Sequence, residues 1–116
     1  MKAAEGGLML VQAEKTEKKL RATRRNCRIP ISLYHAEKVY PTSVTNISFT
    51  GAFVEGSIPL IIGNPVAVEF QNPDGSVDIT LEARVVRTTD WGIGIQFIAV
   101  RSKAARFLQK CLDKYK

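Results

Sequence analysis

From Ile29 onward the apolar residues of this chain recur at every second position, and that period of two dominates what the chain can become. Ile29, Ile31 and Leu33 alternate, as do Val66, Val68 and Phe70; Val77, Ile79, Leu81, Ala83 and Val85 form the longest run; Ile93, Ile95 and Phe97 end the series. Successive side chains of an extended strand point to opposite faces, so each run describes a strand with one buried face. Two less regular stretches, Val39 to Ile47 and another beginning over Gly51 to Val54, bring the expected strands to six. Turn chemistry separates them. In Pro73-Asp74-Gly75 the proline presets φ, the aspartate bonds nearby backbone and the glycine accepts positive φ, while Asp90-Trp91-Gly92 reverses the chain before the last strand. Six short strands with open edges would invite further pairing, so the expected fold is mainly β, a small six-stranded antiparallel barrel over about residues 29–98.

The period changes after the last strand. Ala104, Leu108, Cys111, Leu112 and Tyr115 fall on one face at steps of three and four, which predicts a C-terminal helix over about 102–115 with Ser102 as its N-cap. That face is expected to cover an opening of the barrel, leaving Lys103, Arg106, Lys110 and Lys114 wet. Ahead of the strands, residues 1–23 hold Gly6-Gly7, a short apolar stretch from Leu8 to Val11 and then a run of charge. They are expected to form a mobile basic leader to a single folded domain over 24–116, since 116 residues suffice for one modest core and not for two.

Charge and composition narrow the function classes. The net charge of +6 is concentrated in Lys15, Lys18, Lys19, Arg21, Arg24, Arg25 and Arg28, relieved only by Glu14 and Glu17. Such a cluster is either a solvated tail or an attractor of anions, nucleic acid and anionic lipid among them. The apolar run Ile58 to Ile62, interrupted by Pro59, is too short to cross a bilayer, so no membrane insertion is expected. No secretory segment with a cleavage site follows Met1, so a cytoplasmic protein is expected. Two cysteines without metal-ligand spacing suggest free thiols. Cys27 lies between arginines, a setting that lowers thiol pKa values, although a passive thiol is the simpler reading. His35, the only histidine, has no partner in sequence for metal or triad chemistry and is expected to face solvent from a loop. No nucleophile–base set, carboxylate pair, GxGxxG or Walker sequence is present, and Gly92-Ile93-Gly94 lies in a strand. The chain is therefore read as a binding protein and not an enzyme, with no cofactor or metal.

Two strings carry recognition chemistry. Arg24-Arg25-Asn26-Cys27-Arg28 is an RxxxR sequence just ahead of the first apolar alternation, and Asn46-Ile47-Ser48-Phe49-Thr50-Gly51 is an NxSxxG turn between two strands. A guanidinium is planar, always charged and matched to phosphate oxygens or to the O6/N7 edge of guanine, and its flat face stacks on a base. By itself the second string is an ordinary hairpin turn, built from common turn residues.

Together and in this order, the two strings resemble the signature motifs of the PilZ family, bacterial receptors for the second messenger cyclic di-GMP. The resemblance runs from about Leu20 to the C-terminus and includes Trp91-Gly92-Ile93-Gly94-Ile95-Gln96-Phe97, which is similar to the family's closing strand. It implies a PilZ-like barrel with a terminal helix and a cyclic di-GMP site made by Arg24, Arg28, Asn46, Ser48 and Gly51, with Arg25 assisting. Arg21 opens a second RxxxR in another register and, with Trp91, is an auxiliary residue; Trp91 either packs at the barrel mouth or fills the core beneath the helix. Asn46 would accept from the guanine Watson–Crick edge through its carboxamide oxygen, Ser48 would donate to phosphate, and Gly51 would permit a conformation or close approach that a Cβ blocks. Many family members carry aspartate at the Asn46 position, so a charge-assisted bond is lost here. The resemblance implies relay of the signal to a downstream protein partner. Two alternatives stand beside it: a nucleotide-independent PilZ-like module of pilus or motility machinery, and a small-barrel nucleic-acid binder. The second is disfavoured because the strands lack the interleaved exposed aromatics on which bases stack.

Overall fold

The structure, a computed structural model, describes residues 24–72 and 74–115; the expected leader over 1–23, Arg21 included, lies outside them, as does Pro73. Their order is β1 (Arg25–His35), β2 (Lys38–Ile47), β3 (Gly51–Glu55), β4 (Pro65–Gln71), β5 (Val77–Thr88), β6 (Gly92–Phe97) and α1 (Ser102–Lys114). The strands close in the order β1-β2-β3-β6-β5-β4, and every neighbouring pair is antiparallel. This is the closed six-stranded barrel with one C-terminal helix that the alternation predicts. Inward-facing Ile31, Leu33, Val44, Val54, Val68, Phe70, Val85 and Ile93 are almost wholly removed from solvent. Each such side chain stabilises the fold by roughly 1.5–3 kcal/mol before entropy is counted.

Several details depart from the sequence reading. β1 starts at Arg25, ahead of the apolar alternation, because its first residues pair with the end of β2 and a register shift lies between Asn26 and Ile29. The long alternation of β5 is buried only in its middle. Val77 is exposed and Ile79 half-buried, and a second register shift, between Val85 and Arg87, leaves Val86 exposed. His35 is not in a loop. It ends β1, and its Nδ1–H donates to the Pro65 carbonyl at 2.7 Å, tying β1 to the start of β4. The asparagine-to-valine turn between β4 and β5 does use aspartate and glycine as expected: Asp74 accepts from the Ser76 N–H at 2.9 Å, and Gly75 has φ +89°.

Helix α1 packs Ala104, Leu108, Cys111 and Leu112 into the core. Phe107, which the spacing argument does not single out, adds to this contact; its ring centroid lies 4.8 Å from that of Phe70. Lys103, Arg106, Lys110 and Lys114 are exposed, as expected. Ser102 is not the N-cap. That position belongs to Arg101, whose backbone is extended and whose carbonyl already accepts the helical bond from the Ala105 N–H at 2.7 Å; no side chain caps this end. Among the described residues no helix is long and apolar enough to cross a membrane.

Candidate functional site

Antiparallel pairing of β1 with β2 sets the two recognition strings side by side, with Arg25 opposite Ile47 and Asn26 opposite Asn46. Ile29, Val44 and Ile47 take the inward positions, so Arg24, Asn26 and Arg28 are left on the outer surface. Arg24 Nη1 donates to Asn46 Oδ1 at 3.2 Å, joining a residue of each string. Asn46 Nδ2 in turn donates to Asn26 Oδ1 at 3.3 Å. Nothing in the sequence singles out Asn26; its signal is the register, which places it across from Asn46. Arg25 Nη1 donates to the Arg24 carbonyl, and its Nε is buried with no partner among the described residues.

Arg28 points elsewhere. Its Nη1 and Nη2 donate to Oε2 and Oε1 of Glu55 at 2.6 and 3.1 Å, a bidentate pair across the outer face of the sheet. The hydrogen bond and the opposite charge raise the Arg28 pKa further, and the same bond holds the Glu55 carboxyl below its ordinary value against the opposing effect of desolvation. Cys27, between the arginines, is not activated. Burial pushes its thiol up to about 11, Cys111 adds to the rise, and the Arg28 charge offsets only part of it. The thiol donates to the Val44 carbonyl at 3.5 Å.

The second string is a turn held by its own hydroxyl. Ser48 is fully buried; its Oγ accepts from the N–H groups of Thr50 and Gly51 at 3.2 Å each, and its own N–H donates to the Gly51 carbonyl at 2.9 Å. The hydroxyl expected to reach a phosphate is thus directed into the turn. Gly51 is required by close approach, because a Cβ there would lie within 3.0 Å of the Ile95 carbonyl oxygen on β6, closer than real Cβ atoms come. The same device recurs between β5 and β6. Thr89 Oγ1 accepts from the N–H groups of Trp91 and Gly92 at 3.1 Å each, and a Cβ on Gly92 would collide with the Val54 carbonyl oxygen. The shared hydroxyl-x-x-Gly spacing, Ser48 to Gly51 and Thr89 to Gly92, is the sequence signal for this twin turn.

Trp91 does not fill the core. It is 77% exposed, and its carbonyl accepts from the Gly56 N–H at 2.7 Å, which places its turn beside the end of β3 that carries Glu55. Between the two turns, Gly94 lies opposite both Phe53 and Arg87, and the Arg87 guanidinium sits 5.7 Å from the Phe53 ring centroid. The result is an outer surface with the arginines Arg24, Arg28 and Arg87 and two facing carboxamides, and an exposed indole stands in the turn beside Glu55. It offers charge, a hydrogen-bonding edge and a flat apolar face, which suit a phosphate-bearing base. Among the described residues no group of three or more His, Cys, Asp or Glu side chains is placed to hold a metal ion.

Residues 18–114 match the family model described as PilZ domain. No curated protein matches the chain significantly. The fold is similar to the PilZ domain of CeSA from a cellulose-synthesizing bacterium, at 20% identity and TM-score 0.65, over 80% of this chain and 97% of that one. It is similar to the inhibitor of motility MotI/DgrA of Bacillus subtilis, at 16% identity and TM-score 0.66, over 78% of this chain and 48% of that one. It is also similar to PlzA of Borreliella burgdorferi, solved in complex with c-di-GMP, at 9% identity and TM-score 0.57, over 90% of this chain and 55% of that one. The chain thus spans about half the length of the latter two proteins. With the family model covering most of its length and the fold shared with all three structures, the chain belongs to the PilZ domain family.

Proposed function

We propose that this protein is a cytoplasmic receptor that binds cyclic di-GMP on the outer face of β1 and β2 and relays the event to a partner protein. The observation that carries this reading is the Arg24–Asn46 contact, which joins the RxxxR and NxSxxG strings on one exposed surface. Cyclic di-GMP presents two phosphates and two guanines. Arg24 and Arg28 supply forked donors for phosphate oxygens or for guanine O6 and N7, and Arg25 adds charge. The Asn46 carboxamide oxygen accepts from the guanine N–H edge, and Asn26 steadies that carboxamide. Ser48 and Gly51 serve the surface by holding the β2–β3 turn that presents Asn46, and exposed Trp91 is available to stack on a base. Relay follows from charge. Ligand phosphates reduce the repulsion among Arg24, Arg25 and Arg28 at the start of β1, a change that a partner reads.

Calorimetric titration with cyclic di-GMP, GMP and oligonucleotides tests this reading. Saturable binding of cyclic di-GMP with a shallow dependence on salt is expected, because a ligand with two phosphates releases few counterions. Tight oligonucleotide binding with a steep salt slope, and none of cyclic di-GMP, would favour a nucleic-acid binder instead. Hydrogen exchange tests the relay: residues 21–28 are expected to gain protection when the ligand is added, and an unchanged segment would remove that step while leaving the receptor reading standing.

A further inference from the structure

We propose that Glu55 competes with the ligand for Arg28, and so makes binding depend on a ligand that engages Arg24 and Arg28 together. The inference rests on the cyclic di-GMP reading of the outer surface. Both terminal nitrogens of Arg28 are occupied by the two Glu55 oxygens, at 2.6 and 3.1 Å. A phosphate with two free oxygens, or the O6/N7 edge of guanine, uses the same two-donor fork. The carboxylate therefore stands where a ligand acceptor has to stand.

The fold makes this contact a separate feature from the strand pairing. β1 and β3 are both neighbours of β2 and not of each other, so the two side chains reach toward one another over a strand, a gap of about 10 Å between backbones. Glu55 is presented from a fixed backbone. Its carbonyl accepts from Thr42 Oγ1 at 2.6 Å, the following Gly56 N–H donates to the Trp91 carbonyl at 2.7 Å, and Glu55 pairs in register with Gly92. Release of Arg28 then needs only side-chain rotation. The pair is also solvent-accessible, with Arg28 66% and Glu55 40% exposed, so it is weak enough to open for a ligand.

The need for a second arginine follows from counting contacts. An anion that meets Arg28 alone exchanges one charge-assisted fork for another and gains little. A cyclic dinucleotide that also reaches Arg24 and Asn46 gains contacts that Glu55 does not contest, because Glu55 touches neither.

The test is titration of the wild-type protein, Glu55→Gln, Arg28→Ala and the double variant with cyclic di-GMP and with GMP, with thermal melts to confirm that each is folded. Glu55→Gln is expected to bind cyclic di-GMP about two- to fivefold more tightly, the range an exposed ion pair allows. GMP, where it engages Arg28, is expected to gain by about the same factor, since both ligands have to open the same Arg28–Glu55 pair. In the Arg28→Ala background the Glu55→Gln change is expected to have no effect, which separates competition at Arg28 from a general loss of negative charge. Equal or weaker binding by Glu55→Gln, with the wild type binding normally, overturns the competition and makes Glu55 a support for Arg28. A gain of the same size without Arg28 overturns it too. Binding of cyclic di-GMP by neither wild type nor Glu55→Gln overturns the site reading and this inference with it.

Discussion

Replacing Gly51 with alanine should destabilise the barrel far more than a methyl group on an exposed turn ordinarily does. The added Cβ would meet the Ile95 carbonyl oxygen, backbone of the neighbouring strand, inside 3.0 Å, and no rotamer moves it away. Relief requires β3 and β6 to part by on the order of 1 Å at that point. The Phe97 N–H to Thr50 carbonyl bond, 2.8 Å long, lies beside this contact and would lengthen past useful geometry. Losing one backbone hydrogen bond costs about 0.5–1.5 kcal/mol, and overpacking adds about 1–3 kcal/mol, for a total near 2–4 kcal/mol. In a domain of this size each kcal/mol lowers Tm by about 4–8 °C, so a fall of at least about 8 °C is expected in a thermal melt followed by circular dichroism. Gly63 provides the control, because a Cβ there meets nothing within 4 Å and only its positive φ of +99° opposes the change. Gly63→Ala should cost about 1–2 kcal/mol. A Gly51→Ala protein that melts with the wild type, or above Gly63→Ala, would refute the close-approach explanation.

Ser48→Ala should lower stability by about 1–3 kcal/mol in a urea titration, since it leaves two turn N–H groups without their acceptor, and ligand binding measured well below its melting point should change less than in the arginine variants. An unstable turn would not produce a preserved melt. Alkylation of Cys27 at pH 8, followed by mass spectrometry of Cys27 and Cys111 peptides, should be about a hundredfold slower than for a thiol of ordinary pKa 9.0, because burial raises it to about 11. The rate should keep rising with pH beyond about 10, where a thiol of pKa 9.0 levels off; a plateau from about pH 10 would show the thiol to be unperturbed. Phe107→Ala should destabilise by about 1–3 kcal/mol in the same urea assay, since it removes a half-buried ring that packs α1 on Phe70.

The barrel was legible wherever burial imposes a period of two, as in Ile29-Ile31-Leu33 and Ile93-Ile95-Phe97, because register and inward facing follow from the same alternation. It was hidden where polar residues lie in a strand: Arg25 and Asn26 carry no apolar period, and their strand character comes only from pairing with β2. Serine's capping tendency is a local preference and points to Ser102, whereas the Arg101 carbonyl begins the helix in the folded chain. The arginine and asparagine positions of the proposed site are legible as motifs. Their partners are not. Glu55 and Asn26 matter through cross-strand neighbours, and the sequence does not display which strand lies one or two places away. The inward direction of the Ser48 hydroxyl was likewise a property of the closed turn and not of the residue type.

The central claim is that Arg24 and Arg28 form one cyclic di-GMP site, and calorimetry of the wild type beside Arg24→Ala and Arg28→Ala tests it most directly. Each variant should melt with the wild type, since both side chains are exposed, yet bind cyclic di-GMP about tenfold more weakly or worse. Saturable wild-type binding that is weakened by both substitutions is the predicted result; no binding by the folded wild type, or an affinity that neither substitution changes, would contradict it.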